Sequence, residues 1–382
     1  MKRLRTILTM IAMSFSIWHS AAQSLPTNIY SGPFKAGHIQ GIALDKKNNH
    51  IYLSYTTMLV KCDLQGNILG SVTGLIGHLG DLSFNDEDGR VYGSLEYKND
   101  AIGKGIIAQE KSNKTFLGTF YIAIFDGKKI TRQGIDFQES DVATTVLLQQ
   151  VCHDYSTTVH TSVGDFEHRL GCSGIDGVSF GPKFGKSSGK QLLTVAYGIY
   201  SDTNRTDNDY QVLLQYDVSQ WHKYERRLTQ TEDGMHTSGP ATPDGIYYAY
   251  TGNTTYGVQN MEYDKELKVW WLAVYKGVKK EFPNYSLFAI DGASKPRQKP
   301  LKGVDYIKRG AVVELQQHLP QQNDPATGIG GWHFGLGSTG FYPVEGGYYY
   351  ISHNYANREG QGSNLRLYRF SGDANSPFTL VE

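Results

Sequence analysis

The sequence predicts an all-β chain closed into a β-propeller, and three observations predict it. One opening phrase recurs along the chain. Within it apolar residues alternate singly with polar ones, the period of a strand and not of a helix. Tyr and Gly are abundant, at 26 and 43 residues, while 19% of residues are charged, a composition of aromatic strands joined by tight turns. Units of this kind cannot bury their apolar faces alone, so they stack on their neighbours.

The N-terminus sets the compartment. Lys2, Arg3 and Arg5 precede an apolar run from Ile7 to Trp18 and small residues ending in Ala21-Ala22-Gln23, the pattern of a secretory signal peptide. Residues 1–23 are read as the signal and 24–382 as a single propeller domain, monomeric and either periplasmic or secreted. The run is too short to span a membrane, and no later segment approaches the roughly 20 apolar residues that a spanning helix requires. The formal net charge of +0 argues against a nucleic-acid partner, because phosphate backbones select basic surfaces.

The opening phrase reads GHIQGIALDKKNNHIYLSY from Gly37, GHLGDLSFNDEDGRVYGSLEY from Gly77, SGIDGVSFGPKFG from Ser173, YGVQNMEYDKELKVWWLAVY from Tyr256 and GLGSTGFYPVEGGYYYISHNY from Gly335. A third strand follows each, at MLVKCDLQG from Met58, FYIAIFDGKK from Phe120, QVLLQYDVSQ from Gln211, YSLFAIDG from Tyr285 and LRLYRFSGD from Leu365. With a fourth strand added, each unit is a propeller blade. The interval from His38 to His78 is about half of the later ones, so degenerate blades around Asp244 and Arg309 raise the expected count from five toward seven. TNIYSGPF, from Thr27, supplies a closing strand beside LRLYRFSG, because an open ring would leave two bare sheet edges. DVATTVLLQQVCHDY, from Asp141, lacks strict alternation and is read as a helix on a loop. Of the three cysteines, Cys152 and Cys172 bracket one loop-rich segment and are read as a disulfide pair, against the alternative of three buried thiols.

In a propeller the innermost strands start at one face of the central channel, so equivalent opening positions form a ring. Here that ring holds His38, Gln40, His78, Asp81, Asp176, Gln259, Asn260 and Ser338. Polar side chains there either bind a ligand or cap strand ends and hold channel water. His38 and His78 occupy the same place in consecutive openings, and imidazole exchanges protons near neutrality, so the pair is the leading acid–base candidate. His333, just before an opening, is retained as a binding candidate. Asp81, Asp176, Gln259 and Asn260 are hard oxygen donors that can converge on a channel calcium, although no contiguous calcium loop is present. Trp332, Tyr256 and Tyr355, on loops, are candidates for stacking on sugar rings.

The phrases GHIQG, SVTGLIGHLGD and GRVYGSLEYKNDAIGKG resemble secreted bacterial β-propellers that degrade complex glycans, the rhamnosyl-glucuronate lyase and α-L-rhamnosidase family. The resemblance covers roughly the first hundred residues and implies a ring of about seven blades. It also implies a histidine catalyst, falling on His38 or His78, and in some members a channel calcium. Elimination beside a uronate carboxylate then needs a base, an acid and a cation. His38 or His78 is the candidate base, Tyr97 the acid, and Arg169 or Arg358 the carboxylate partner, with Gln40, Asp176, Tyr256, Gln259 and Asn260 around the substrate. Hydrolysis of the same rhamnose–glucuronate linkage, a non-catalytic glycan- or protein-binding propeller, and a calcium-dependent lactonase or esterase are the alternatives.

Overall fold

The computed structural model describes residues 25–382, so the signal-peptide reading lies outside the described residues. Five antiparallel blades form a ring. Their innermost strands are Ile39–Asp45, His78–Asn85, Cys172–Pro182, Thr254–Asp264 and Phe341–Pro343. Each packs on the next, and the last returns to the first. Five apolar clusters fill the gaps between successive blades. Strand alternation explains how one strand serves two gaps: Trp270 packs on Phe184 in the gap toward the third blade, while its neighbour Trp271 packs on Trp332 and Tyr349 in the gap toward the fifth.

The ring is closed by the N-terminal strand Asn28–Phe34, which pairs antiparallel with Gly360–Phe370 from Asn28 opposite Arg366. The fifth blade thereby combines strands from both ends of the described chain, with Asn28–Phe34 at one edge of its sheet and Phe341–Pro343 at the other. The expected sixth and seventh blades have no sheets of their own among the described residues. Gly245–Tyr250 is the fourth strand of the third blade, and Gly310–Val313 pairs parallel to its outer side. The long intervals are filled instead by additions such as the helix Ala101–Gln109 and the hairpin Val159–Thr161 with Gly164–Phe166.

The segment from Asp141 divides: Ala143–Leu147 is the fourth strand of the second blade, and a helix follows only at Gln149–Ser156. β-Branched Thr144, Thr145 and Val146 favour the strand. The disulfide is not formed. Cys62, Cys152 and Cys172 are free thiols, Cys62 and Cys172 buried in apolar clusters. No helix of the described residues is long and apolar enough to cross a membrane.

Four of the five innermost strands bulge just inside the mouth where they begin. In each ladder the register shifts by skipping residues: Gln40 in the first, Gly80 and Asp81 in the second, Asp176 and Gly177 in the third, Gln259 in the fourth. A bulge leaves its extra residue unpaired and re-aims the side chain. Ring polarity at this mouth therefore has a backbone cause.

Candidate functional site

The bulged mouth holds a cavity of about 350 Å³ lined by His38, Gln40, Thr56, His78, Glu96, Lys98, Ser173, Asp176, Tyr256, Gln259 and Tyr275, among others. Of the bulge residues just named, Gln40, Asp176 and Gln259 line it directly. The fourth blade's bulge also fixes Asn260, whose Nδ2 donates to the backbone oxygens of Gln40 at 2.6 Å and Gln259 at 2.8 Å, while its Oδ1 accepts from Phe341 N at 3.0 Å. Asn260 thus ties three blades and does not line the cavity.

His38 follows Gly37, whose φ of +79° and lack of a Cβ are both needed, since a Cβ would sit 2.3 Å from Thr56 Oγ1. That hydroxyl accepts from Gln40 Nε2 at 3.1 Å. Burial, helped by the neighbouring His78, lowers the His38 pKa and keeps the imidazole neutral. His78 goes the other way. Burial opposes its charge, but Glu96 and Asp176 outweigh that and raise its pKa. Its Nδ1 lies 3.5 Å from Glu96 Oε1, close enough for ion pairing, and makes no hydrogen bond.

Glu96 is held ionised against its burial by Lys98, whose Nζ is 2.6 Å from Oε1, and by His78. Its Oε2 accepts from Ile175 N at 3.2 Å, which anchors the carboxylate to the third blade. Lys98 is likewise committed, donating to Ser173 O at 2.8 Å. Asp176 is not committed. Its Oδ1 is buried without a hydrogen-bond partner, and burial together with the Glu96 charge pushes the carboxyl up to about 7. Gly80 makes room for it, since a Cβ there would lie 2.2 Å from Oδ1.

Tyr256 forms the rim. It is 42% exposed and holds a left-handed φ of +63°, a conformation rare outside glycine. The cavity thus presents one imidazole with a lowered pKa, one with a raised pKa and a titratable carboxyl beneath an aromatic edge.

Besides Asn260, four expected site residues lie away from the cavity. Tyr97 is buried between blades, its hydroxyl donating to Gln230 Oε1 at 2.9 Å and pushed far up by desolvation. It alternates with Glu96 and Lys98, which face the cavity, so the strand's period places it on the wrong side. Arg169 pairs with Asp154 at 2.9 Å. Arg358 is exposed in the turn between Tyr348–Asn357 and Gly360–Phe370. His333 is exposed against the ring of Tyr285. Among the stacking candidates, Trp332 is fully buried with Nε1 donating to Pro320 O at 3.0 Å, and Tyr355 does not line the cavity.

Of the oxygen donors considered for calcium, Asp176 and Gln259 line the cavity and Asp81 and Asn260 do not. Asp81 spends its carboxylate on the backbone N–H groups of Leu82, Val178 and Met261, and among the described residues no group of three or more His, Cys, Asp or Glu is placed to hold a metal ion. Sequence reasoning missed Glu96, Lys98, Thr56, Ser173 and Tyr275. The alternation in SLEYK was the available signal for the first two.

No protein-family profile matches the chain, and no curated protein matches it. Among solved structures it is similar to the soluble aldose sugar dehydrogenase of Escherichia coli, with 9% identity, a TM-score of 0.37 and 91% and 97% of the two chains covered. It is also similar to the periplasmic gluconolactonase of Pseudomonas aeruginosa, with 9% identity, a TM-score of 0.31 and 90% and 71% covered. A third is the pyranose dehydrogenase PQQ domain of Coprinopsis cinerea, with 10% identity, a TM-score of 0.31 and 85% and 81% covered.

Proposed function

We propose that this chain is a carbohydrate-active enzyme that cleaves a uronate-bearing glycan by β-elimination at the bulged mouth. One observation carries the reading: two histidines in one cavity are pushed toward opposite protonation states. Titratable neighbours separated in this way are suited to divide base and acid work. His38, neutral, removes the proton on the carbon beside the uronate carboxylate. The electron pair released forms a carbon–carbon double bond as the bond to the leaving oxygen breaks. Asp176, neutral below about 7, supplies that oxygen with its proton. The His78 imidazolium neutralises the substrate carboxylate, the role first sought in arginine, and so acidifies the adjacent C–H.

The cavity of about 350 Å³ lies within the range of small-molecule sites and fits one or two sugar units. Rhamnose as the leaving sugar is the form of this reading that the sequence resemblance supports, and export follows from the N-terminal pattern. The test is incubation of the purified chain with oligosaccharides ending in rhamnose linked to glucuronate, products being separated by mass. Elimination yields an ultraviolet-absorbing unsaturated uronate; products heavier by one water and without that absorbance would instead mean hydrolysis. Glycan affinity without any product would reduce the site to a binding module.

A further inference from the structure

The opposite end of the channel carries a second, larger cavity of about 640 Å³, formed where the innermost strands end at Asn85, Pro182, Asp264 and Pro343. Its buried polar side chains are spoken for, with one exception. Ser83 Oγ accepts from Phe180 N and Asn85 Oδ1 from Glu87 N, both at 3.0 Å. The Asp264 carboxylate accepts from Glu266 N, Leu267 N and the Tyr349 hydroxyl. Glu262 uses only Oε2, which accepts from Ser179 Oγ at 3.1 Å. Its Oε1 is buried with no partner, on a side chain 5% exposed. A buried acceptor left empty is destabilising, and a ligand donor would relieve it.

The chemistry of the walls narrows the ligand. Six acidic side chains line the cavity against three lysines. Burial and the Asp81 charge push the Glu262 carboxyl well above its usual range, so the other five carry the negative charge. Two of those lysines, Lys46 and Lys265, sit on Glu345 at 3.5 and 3.3 Å. The mouth therefore attracts positive charge. Phe84, Phe180, Tyr263, Tyr342 and Tyr348 supply the aromatic part of the wall, and aromatic faces favour organic cations. The volume exceeds what a bare ion fills. Asp86 and Glu87, exposed on the rim, offer a second anionic position away from Glu262.

We propose that this cavity binds an aliphatic diamine, one ammonium group donating to Glu262 Oε1 and the other resting against Asp86 and Glu87. The site is separate from the histidine mouth and does not depend on the reaction proposed there.

Calorimetric titration of the full chain with putrescine at low salt tests it, with the matching uncharged diol as control. Saturable putrescine binding is expected, absent with the diol and weakened at least about tenfold in Glu262→Gln. Should Glu262→Gln not fold, the exposed pair Asp86→Asn and Glu87→Gln is measured instead and is expected to weaken binding severalfold. No binding of putrescine, equal binding of the diol, affinity unchanged in the variants, or saturable calcium binding in its place would each overturn the proposal.

Discussion

His78 and Glu96 are direct partners across the first ladder of the second blade, and their side chains meet at 3.5 Å between Nδ1 and Oε1. The partnership depends on the bulge at Gly80 and Asp81. From Asn85 opposite Arg90 to Leu82 opposite Gly93 the ladder runs in one register, and beyond the bulge it resumes shifted by one residue. Without that shift His78 would face Tyr97. A backbone irregularity thus selects which side chain sets the charge of the histidine.

Glu96 should matter to stability as well as to charge. Glu96→Ala takes from buried Lys98 the nearer of its two carboxylates, leaving Asp100 at 3.6 Å, and breaking such a buried pair costs up to about 3–5 kcal/mol. Denaturant unfolding of Glu96→Ala against the double variant Glu96→Ala with Lys98→Met is expected to show most of that loss recovered in the double variant. Equal stability of the two would mean that Lys98 finds other compensation.

Asp176 should carry both a pH limb and a stability penalty. As the proposed proton donor it must be neutral, so activity is expected to fall as pH rises through about 7. Its folded pKa is raised above the unfolded value of about 3.9, so stability is greatest at acid pH and declines as pH rises from the unfolded to the folded pKa. The raised value of about 7 corresponds to a loss on the order of 4 kcal/mol above it. Asp176→Asn is therefore expected to raise Tm at alkaline pH, leave it nearly unchanged at pH below about 4, and abolish product formation. A Tm gain independent of pH would contradict the ionisation argument.

Gly80 is a positioning residue. A Cβ at this site would lie 2.2 Å from Asp176 Oδ1 and 2.4 Å from Ser94 Oγ, so Gly80→Ala displaces the carboxyl or strains the blade contact, at about 1–3 kcal/mol. The expected kinetic signature is a lower kcat with the alkaline limb of the pH profile moved. A lower kcat with an unmoved limb would mean that Asp176 stays in place.

Tyr256 separates binding from chemistry. Its left-handed backbone costs about 1 kcal/mol in a non-glycine residue, so Tyr256→Gly is expected to keep or slightly raise stability while KM increases and kcat changes little. Loss of kcat with KM unchanged would remove the tyrosine from substrate binding.

How much of this was legible in the sequence follows from how each feature is encoded. The five openings, their third strands and the closing strand near Asn28 are written as period-two alternation with turns, which local composition displays. His38, Gln40, His78, Asp176, Tyr256 and Gln259 reach one cavity because ring position repeats with the phrase. Glu96 and Lys98 were hidden by register: nothing local announces that a bulge turns Glu96 toward His78 and leaves Tyr97 between blades. Arg169 and Arg358 were chosen for charge alone, and pairing with Asp154 and exposure in a turn are tertiary outcomes. The blade count failed because strands added to the third blade's outer edge carry the same alternation as new blades would.

Substitution of either histidine tests the division of labour. His38→Ala and His78→Ala are each expected to fold normally and lose about a hundred- to ten-thousandfold in turnover. Full activity in both would remove the pair from the chemistry.

The most direct measurement is a pH titration of the two imidazoles by nitrogen-resolved NMR, with the single-histidine variants giving the assignments. The proposed division of labour predicts that His38 loses its proton below, and His78 above, the ordinary value of about 6.5, leaving a window in which one ring is neutral and the other charged. Titration of both at a common pH, or in the reverse order, would contradict it.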